Sequence, residues 1–127
     1  MLRYAYKPKS SRNAKAYGYG LRISRKHSQE ICRKLRGMRL DKAKKFLEDL
    51  LEKRVSLNGK YYTKAAGEIL KLLKSAEKNA EAKGLELEKL FVHLSAHRGW
   101  TFRRPRRFKL RGQIQRITHI QVVLEER

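Results

Sequence analysis

Apolar positions recur along this chain with two different periods, and the change of period marks its elements. Ala43, Phe46, Leu47, Leu50 and Leu51 repeat at three- and four-residue steps, the single stripe of an amphipathic helix facing a core. Asp41 is the expected N-cap of that helix, with Leu40 just before it. A longer stripe follows: Ala66, Ile69, Leu70, Leu73, Ala76 and Ala80 predict a helix from about Thr63 to Lys83, capped by Thr63 and stopped by Gly84. Its narrowing to alanine allows a sheet or helix to approach closely. Asn79, beside that face, reads as a bond to a neighbouring backbone group. An earlier helix is predicted over Arg25–Arg36, capped by Ser24 or Ser28, with Ile31, Cys32 and Leu35 on one face and Gly37 as its terminator.

Elsewhere the period is two. Tyr17, Tyr19, Leu21 and Ile23 alternate with glycine or arginine, which predicts a strand at an edge or under close backbone approach. Leu90, Val92, Leu94 and Ala96 share one side of a second strand, and Ile120, Val122 and Leu124 share one side of a third. Asn58-Gly59 marks a turn. The order is β-α-α-α-β-β. The expected fold is α+β: three helices packed on one face of a small three-stranded antiparallel sheet.

The connection between the last two strands does not fit an ordinary hairpin. Such loops take about two to five residues; this one is far longer, and it has its own composition. Residues 98–116 hold eight basic residues and no acid, and residues 1–27 hold another eight and no acid. The whole chain has 127 residues, 33 of them basic and 12 acidic, for a net charge of +21. Two short segments thus carry most of the excess. They repel themselves in isolation and call for a polyanion, which places nucleic acid first among partner classes. At 40% hydrophobic residues the chain is more than a basic tail. The expected organisation is one domain. Residues 1–13 form a basic N-terminal arm, 14–97 and 117–127 the globular body, and 98–116 either a disordered loop or a long basic hairpin arm leaving the body.

Within the second acid-free segment, Trp100, Phe102 and Phe108 interleave with arginine. Guanidinium groups bind phosphate through paired donors and stack on bases, and flat rings accept unstacked bases. Trp100 and Phe102 equally suit packing under the base of a hairpin. The mixture favours RNA, with its loops and splayed bases, over smooth duplex. Membrane binding is disfavoured because the aromatics lie mostly outside the helices. No apolar run of about 18 residues predicts a span, and no apolar stretch near the N-terminus predicts a secretory signal.

Catalytic chemistry finds no foothold. His93 and His97 have the spacing of a helical metal pair, but on a strand they stand roughly 13 Å apart. No phosphate-cradling glycine loop and no nucleophile–base set is present. Cys32, the single cysteine, excludes an internal disulfide framework and reads as a small buried hydrophobe of a protein from a reducing compartment. No enzyme activity, metal or cofactor is expected.

One set of short segments resembles a known family. Ser24-Arg25-Lys26-His27-Ser28, Leu35-Arg36-Gly37, Leu73-Lys74-Ser75-Ala76 with Asn79-Ala80, Gly84-Leu85, Ala96-His97-Arg98 and Ile120 through Glu125 occur in the order found in the ribosomal large-subunit protein twenty-two family. The branch is the archaeal and eukaryotic one, called protein seventeen in eukaryotes. The resemblance implies a body seated on large-subunit ribosomal RNA, a role in subunit assembly, and a long hairpin reaching the wall of the nascent-peptide exit tunnel. It implies a tip that lies opposite a loop of large-subunit protein four. It implies a cytoplasmic, ribosome-bound protein that meets nascent polypeptide transiently.

Carried onto this sequence, the candidate rRNA contacts are Arg3, Lys7, Lys9, Arg12, Lys15, Arg22, Arg25, Lys26 and His27 in the first half. In the second they are Arg98, Trp100, Arg103, Arg104, Arg106, Arg107, Lys109, Arg111 and Arg116. The tunnel-facing tip is Arg103, Arg104, Pro105, Arg106, Arg107, Phe108, Lys109, Leu110 and Arg111. Two departures stand out. Only Lys53–Tyr62 joins the second and third helices, where that branch carries an insertion, and the tip holds bulky Phe108 and Leu110 with Gln113 after Gly112. The alternative function is a free-standing basic nucleic-acid-binding protein of DNA-packaging or RNA-chaperone type.

Overall fold

The last strand, β3 (Ile114–Glu126), is the centre of the sheet. The first, β1 (Asn13–Leu21), lies on one side of it, and β2 (Leu90–Arg103) on the other, both antiparallel. The computed structural model describes residues 4–9, 11–57, 59–103 and 114–126. Between β1 and β2 come α1 (Arg25–Leu35), α2 (Leu40–Leu51), α3 (Thr63–Ala82) and one 3-10 turn at Leu87–Lys89. The architecture is the expected α+β one, three helices on a three-stranded antiparallel sheet.

The two-residue period places the core. Ala14 and Ala16 from β1, Leu90, Val92, Leu94 and Ala96 from β2, and Ile120, Val122 and Leu124 from β3 are all buried beneath the helices. Against them lie Ile31, Cys32 and Leu35 of α1, Leu47 and Leu50 of α2, and Ile69, Leu73, Ala76 and Ala80 of α3. The alanines at the end of α3 meet the alanines of β1, so backbones come close enough to bond. The Asn79 side-chain amide donates to the Lys15 carbonyl at 2.9 Å, and Lys83 Nζ donates to the Asn13 carbonyl at 3.0 Å.

Cys32 is buried, and its thiol pKa is pushed up to about 12 by loss of solvent, with nearby Arg36 opposing the rise. It is packing material and not a nucleophile.

Several ends differ from the sequence expectation. The second helix starts two residues early. Arg39 is its N-cap without a side-chain bond, and Asp41 sits inside the first turn, where its charge still favours the helix dipole. The third helix begins at Thr63 itself, after Tyr62 in the left-handed region at φ 44. Leu51, placed on the apolar stripe, is 36% exposed because α2 ends there. The first strand covers Asn13–Leu21, not the stretch to Ile23. Ser24 caps α1, accepting from the His27 N–H, and Gly37 follows the helix at φ 79, as expected.

The sheet's second face is also covered, which the one-buried-face expectation missed. Residues 4–9 lie across it. Ala5 N–H donates to Gln121 Oε1 at 2.8 Å, Tyr6 O–H to Glu125 Oε2 at 2.6 Å, and Lys9 N–H to Glu125 Oε1 at 3.0 Å. The Tyr6 ring stacks on His93 with centroids 4.2 Å apart. Gln121, Val123 and Glu125 are buried as a result.

Candidate nucleic-acid interface

Both outer strands carry an irregularity where the sheet leaves the helices. Between Arg98 and Thr101, β2 spends one more residue than β3, and between Gly18 and Leu21 β1 does the same. An extra residue on one strand bends it and re-aims side chains. The ladder then resumes through Thr101↔Arg116, Phe102↔Gln115 and Arg103↔Ile114. These pairs carry the hairpin stem beyond the strands expected from the sequence.

On the helix-bearing side of this stem lies an open cleft of about 1030 Å³. Arg22, Arg25, Lys26 and His27 come to it from the β1–α1 junction, Lys60 and Lys64 from the approach to α3 and its first turn, and Arg98 and Arg116 from the stem. Chain alternation explains the last two. Arg98 pairs with Thr118, whose side chain is buried and donates to the Ile23 carbonyl at 2.8 Å, and Arg116 follows Thr118's side of β3. No carboxylate lines the cleft. Arg25, Lys26, Lys60, Lys64, Arg98 and Arg116 take part in no ion pair among the described residues. Tyr62 joins the two helix starts, its ring 4.6 Å from that of His27. Neither α1 nor α3 has an acid in its first turn, so their positive dipole ends add to the field.

On the other side of the stem the surface is aromatic. His119 and Tyr19 stack nearly parallel, centroids 4.7 Å apart at 5°. Trp100 leans on both at 5.2 Å and 5.5 Å. The bulge on β1 turns the Gly20 N–H to His119 Nδ1 at 3.0 Å, which holds the imidazole plane. Tyr17 and Tyr4 extend the group, and Lys15 Nζ sits 5.1 Å over the Tyr4 ring. Trp100 thus does pack at the base of the stem, yet 46% of it stays exposed.

The other sequence candidates separate. Lys7, Lys9 and Lys15 are exposed near the covered face of the sheet. Arg12 is held at home. Its Nε lies 2.9 Å from Glu126 Oε2 and its Nη2 donates to the Gly84 carbonyl at 3.3 Å. The Arg12 Nε hydrogen bond to Oε2 holds the Glu126 carboxyl below its ordinary value. Arg103 is in β2. Arg3, Arg104, Arg106, Arg107, Lys109 and Arg111, with Pro105, Phe108 and Leu110 of the tip, lie outside the described residues. Sequence reasoning missed Lys60 and Lys64, because residues 28–97 mix 16 basic with 10 acidic residues and these cations looked like members of surface pairs. It also missed Tyr19 and His119; their signal was their place in period-two segments, Tyr19 between two glycines. Among the described residues no cluster of acids, histidines or cysteine fits a metal, and no helix is long and apolar enough to cross a membrane.

A basic α+β domain with a cationic cleft and an aromatic patch on either side of a strand pair is built as a polyanion-binding protein. Comparison with known proteins narrows the class. The sequence pattern of the family described as Ribosomal protein L22p/L17e matches residues 16–125. The large ribosomal subunit protein uL22 of Methanocaldococcus jannaschii is 40% identical, covering 98% of this chain and 95% of its own length. Its namesake in Methanosphaera stadtmanae is 42% identical over 97% and 96%, and that in Methanopyrus kandleri 41% over 91% and 88%. The chain belongs to the ribosomal large-subunit protein twenty-two family. The aligned span with the first relative, 148 positions, exceeds the 127 residues here, so that relative carries residues with no counterpart in this chain.

Proposed function

We propose that the protein is a structural constituent of the large ribosomal subunit that binds its rRNA through the cleft at the root of the hairpin. The observation that carries this reading is the cleft's composition: seven arginines and lysines with no carboxylate. Cations gathered from three separate parts of the chain with no carboxylate among them are costly to hold together unless phosphate offsets their repulsion. Their field is sequence-independent, so it seats the body; order and specificity come from RNA shape. The role is architectural and not catalytic.

The finer part of the proposal concerns the arm. Residues 98–116 continue from the stem as an extended hairpin whose tip, about Arg103–Arg111, reaches the nascent-peptide exit tunnel near large-subunit protein four and meets the growing chain. Its cations need RNA on both sides to be ordered, which ties the arm to subunit assembly on the cytoplasmic ribosome.

The test is a salt titration of the full chain on a fragment of large-subunit rRNA. Each neutralised phosphate adds roughly 0.7–0.9 to the log–log slope. Lys60→Gln with Lys64→Gln should lower the slope by about 1.4–1.8 if both touch phosphate, with unchanged melting temperature. A flat titration, or a double variant with the parent's slope, contradicts the cleft as the seat.

A further inference from the structure

We propose that Tyr19, His119 and Trp100 form a stacking platform for a single unpaired nucleobase of RNA, a contact distinct from the phosphate-binding cleft across the stem. This rests on the RNA-binding function proposed above. Tyr19 is 67% exposed and Trp100 46%, although both are large rings at the edge of a well-packed body. A ring needed only for the core would be turned inward. These are held outward by their surroundings: one face of Tyr19 lies flat on His119, and His119 is fixed by the Gly20 N–H at 3.0 Å. Gly20 itself leaves room for Trp100, since a methyl group there would lie 2.9 Å from the indole.

The rings are therefore oriented before any ligand arrives, and their ordering entropy is already spent in folding. Even with His119, Tyr17 and Trp100 around it, Tyr19 keeps 67% of its surface exposed. A base stacking there adds a second plane to an existing stack. The occupant follows from charge and shape. Every ring edge in the group carries a polar atom (phenol, imidazole, indole), which suits a heteroaromatic base better than an aliphatic side chain. Tyr19 and Trp100 lie within the two acid-free segments, and the carboxylate of Glu125, six residues beyond His119 on β3, is engaged by Tyr6 and Lys9. A paired base has both faces covered by its neighbours in the helix, so the base must be unpaired.

Trp100 is the only tryptophan, so its emission reports on the platform directly. The full chain is titrated with a single-stranded RNA, with a blunt RNA duplex of equal phosphate number, and with a large-subunit rRNA fragment containing loops. Affinity is measured separately by filter binding. The expected result is quenching of Trp100 by the single strand and the loop-containing fragment, and little change with the duplex. Tyr19→Ala should weaken single-strand binding roughly 5- to 100-fold, the range for losing one base–aromatic stack. Its salt slope and melting temperature should match the parent's, and Tyr19→Phe should restore affinity. Equal quenching by duplex and single strand, or parental affinity in Tyr19→Ala, overturns the platform while leaving the cleft reading intact. So does a Tyr19→Ala variant that binds rRNA normally but loses a neighbouring ribosomal protein on the subunit, which would make the patch a protein contact. Failure of the unsubstituted chain to bind any of the three RNAs overturns the functional reading itself.

Discussion

A methyl group on Gly99 would lie 2.7 Å from the backbone oxygen of Ile117 and 3.1 Å from Nε2 of His119. The two strands of the stem touch backbone to backbone at this point because β2 bulges there. Backbone oxygen cannot swing away as a side chain can. Gly99→Ala should therefore force the strands apart, at a cost of about 1–3 kcal/mol, the range for overpacking. Since Trp100 follows directly, its emission should shift toward a wetter environment in the same variant. Thermal melting and fluorescence of the purified protein check both. A variant with parental melting temperature and emission would mean that the strands have slack at the bulge.

Leu73 tests the layer beneath. It is fully buried where α3 meets the sheet. Leu73→Ala should destabilise by about 2–5 kcal/mol through lost transfer energy and a residual cavity. RNA binding at low temperature should be retained while the melting temperature drops, because no cleft cation touches that site. Circular dichroism melts and filter binding of the same preparation separate the two effects.

The helices and the inner sheet face were legible because each rests on a repeated local signal. Leu73 and its neighbours mark α3 by period, and Leu90, Val92 and Leu94 mark β2 by alternation. Gly37 and Gly84 mark two helix ends through a positive φ that glycine adopts at no cost. What was not legible depends on distant residues. Tyr6 gives no local sign that it will lie on His93, which is why residues 1–13 read as an arm. The run Val122-Val123-Leu124 did hint at it, since an unbroken apolar stretch implies burial on both faces. Asp41 and Thr63 are good caps by composition, yet the bridge Arg39↔Phe91 pulls the chain into α2 two residues early, and Tyr62 turns α3 in through a left-handed conformation. In the cleft, the charge count located Arg22, Arg25 and Lys26 as well as Arg98 and Arg116. Lys60 and Lys64 join them only through the packing of α3 beside α1.

His93 carries a pH dependence. Burial under Tyr6 lowers its pKa, and the positive charge of Arg36 lowers it further. The unfolded chain therefore binds this proton more readily than the folded one. Stability from this residue is fully present above about pH 6.5, its unfolded value. It is lost as pH falls through the lower folded value. Melting temperature should drop between pH 7 and pH 5, and His93→Phe, which keeps a flat ring under Tyr6, should remove part of that drop. If the substituted and parent chains lose stability equally over this interval, His93 is not the titrating group.

The tip should be separable from the body. Among the described residues, the hydrophobic core runs from Ala14 to Leu124 and is drawn from the three helices, the sheet and their connections. The stem is still paired at Arg103↔Ile114, a register that a two-residue Asn-Gly turn can close directly. Replacing residues 104–113 by Asn-Gly removes Arg104, Arg106, Arg107, Lys109 and Arg111. Circular dichroism and melting should stay close to the parent's, since the core residues among the described ones are all kept and a shorter loop costs less to close. Binding to the body's rRNA site should persist, because the cleft and the ring stack remain. The salt slope should fall by up to roughly 3.5–4.5 if all five cations meet phosphate. Large subunits carrying the shortened protein should accumulate more slowly, and crosslinks from its tip region to nascent chains should vanish. Unfolding of the truncated protein would make the tip part of the core. A folded body that binds no rRNA would make the arm the anchor and the cleft secondary. Parental assembly together with persistent crosslinks would remove the arm from the tunnel.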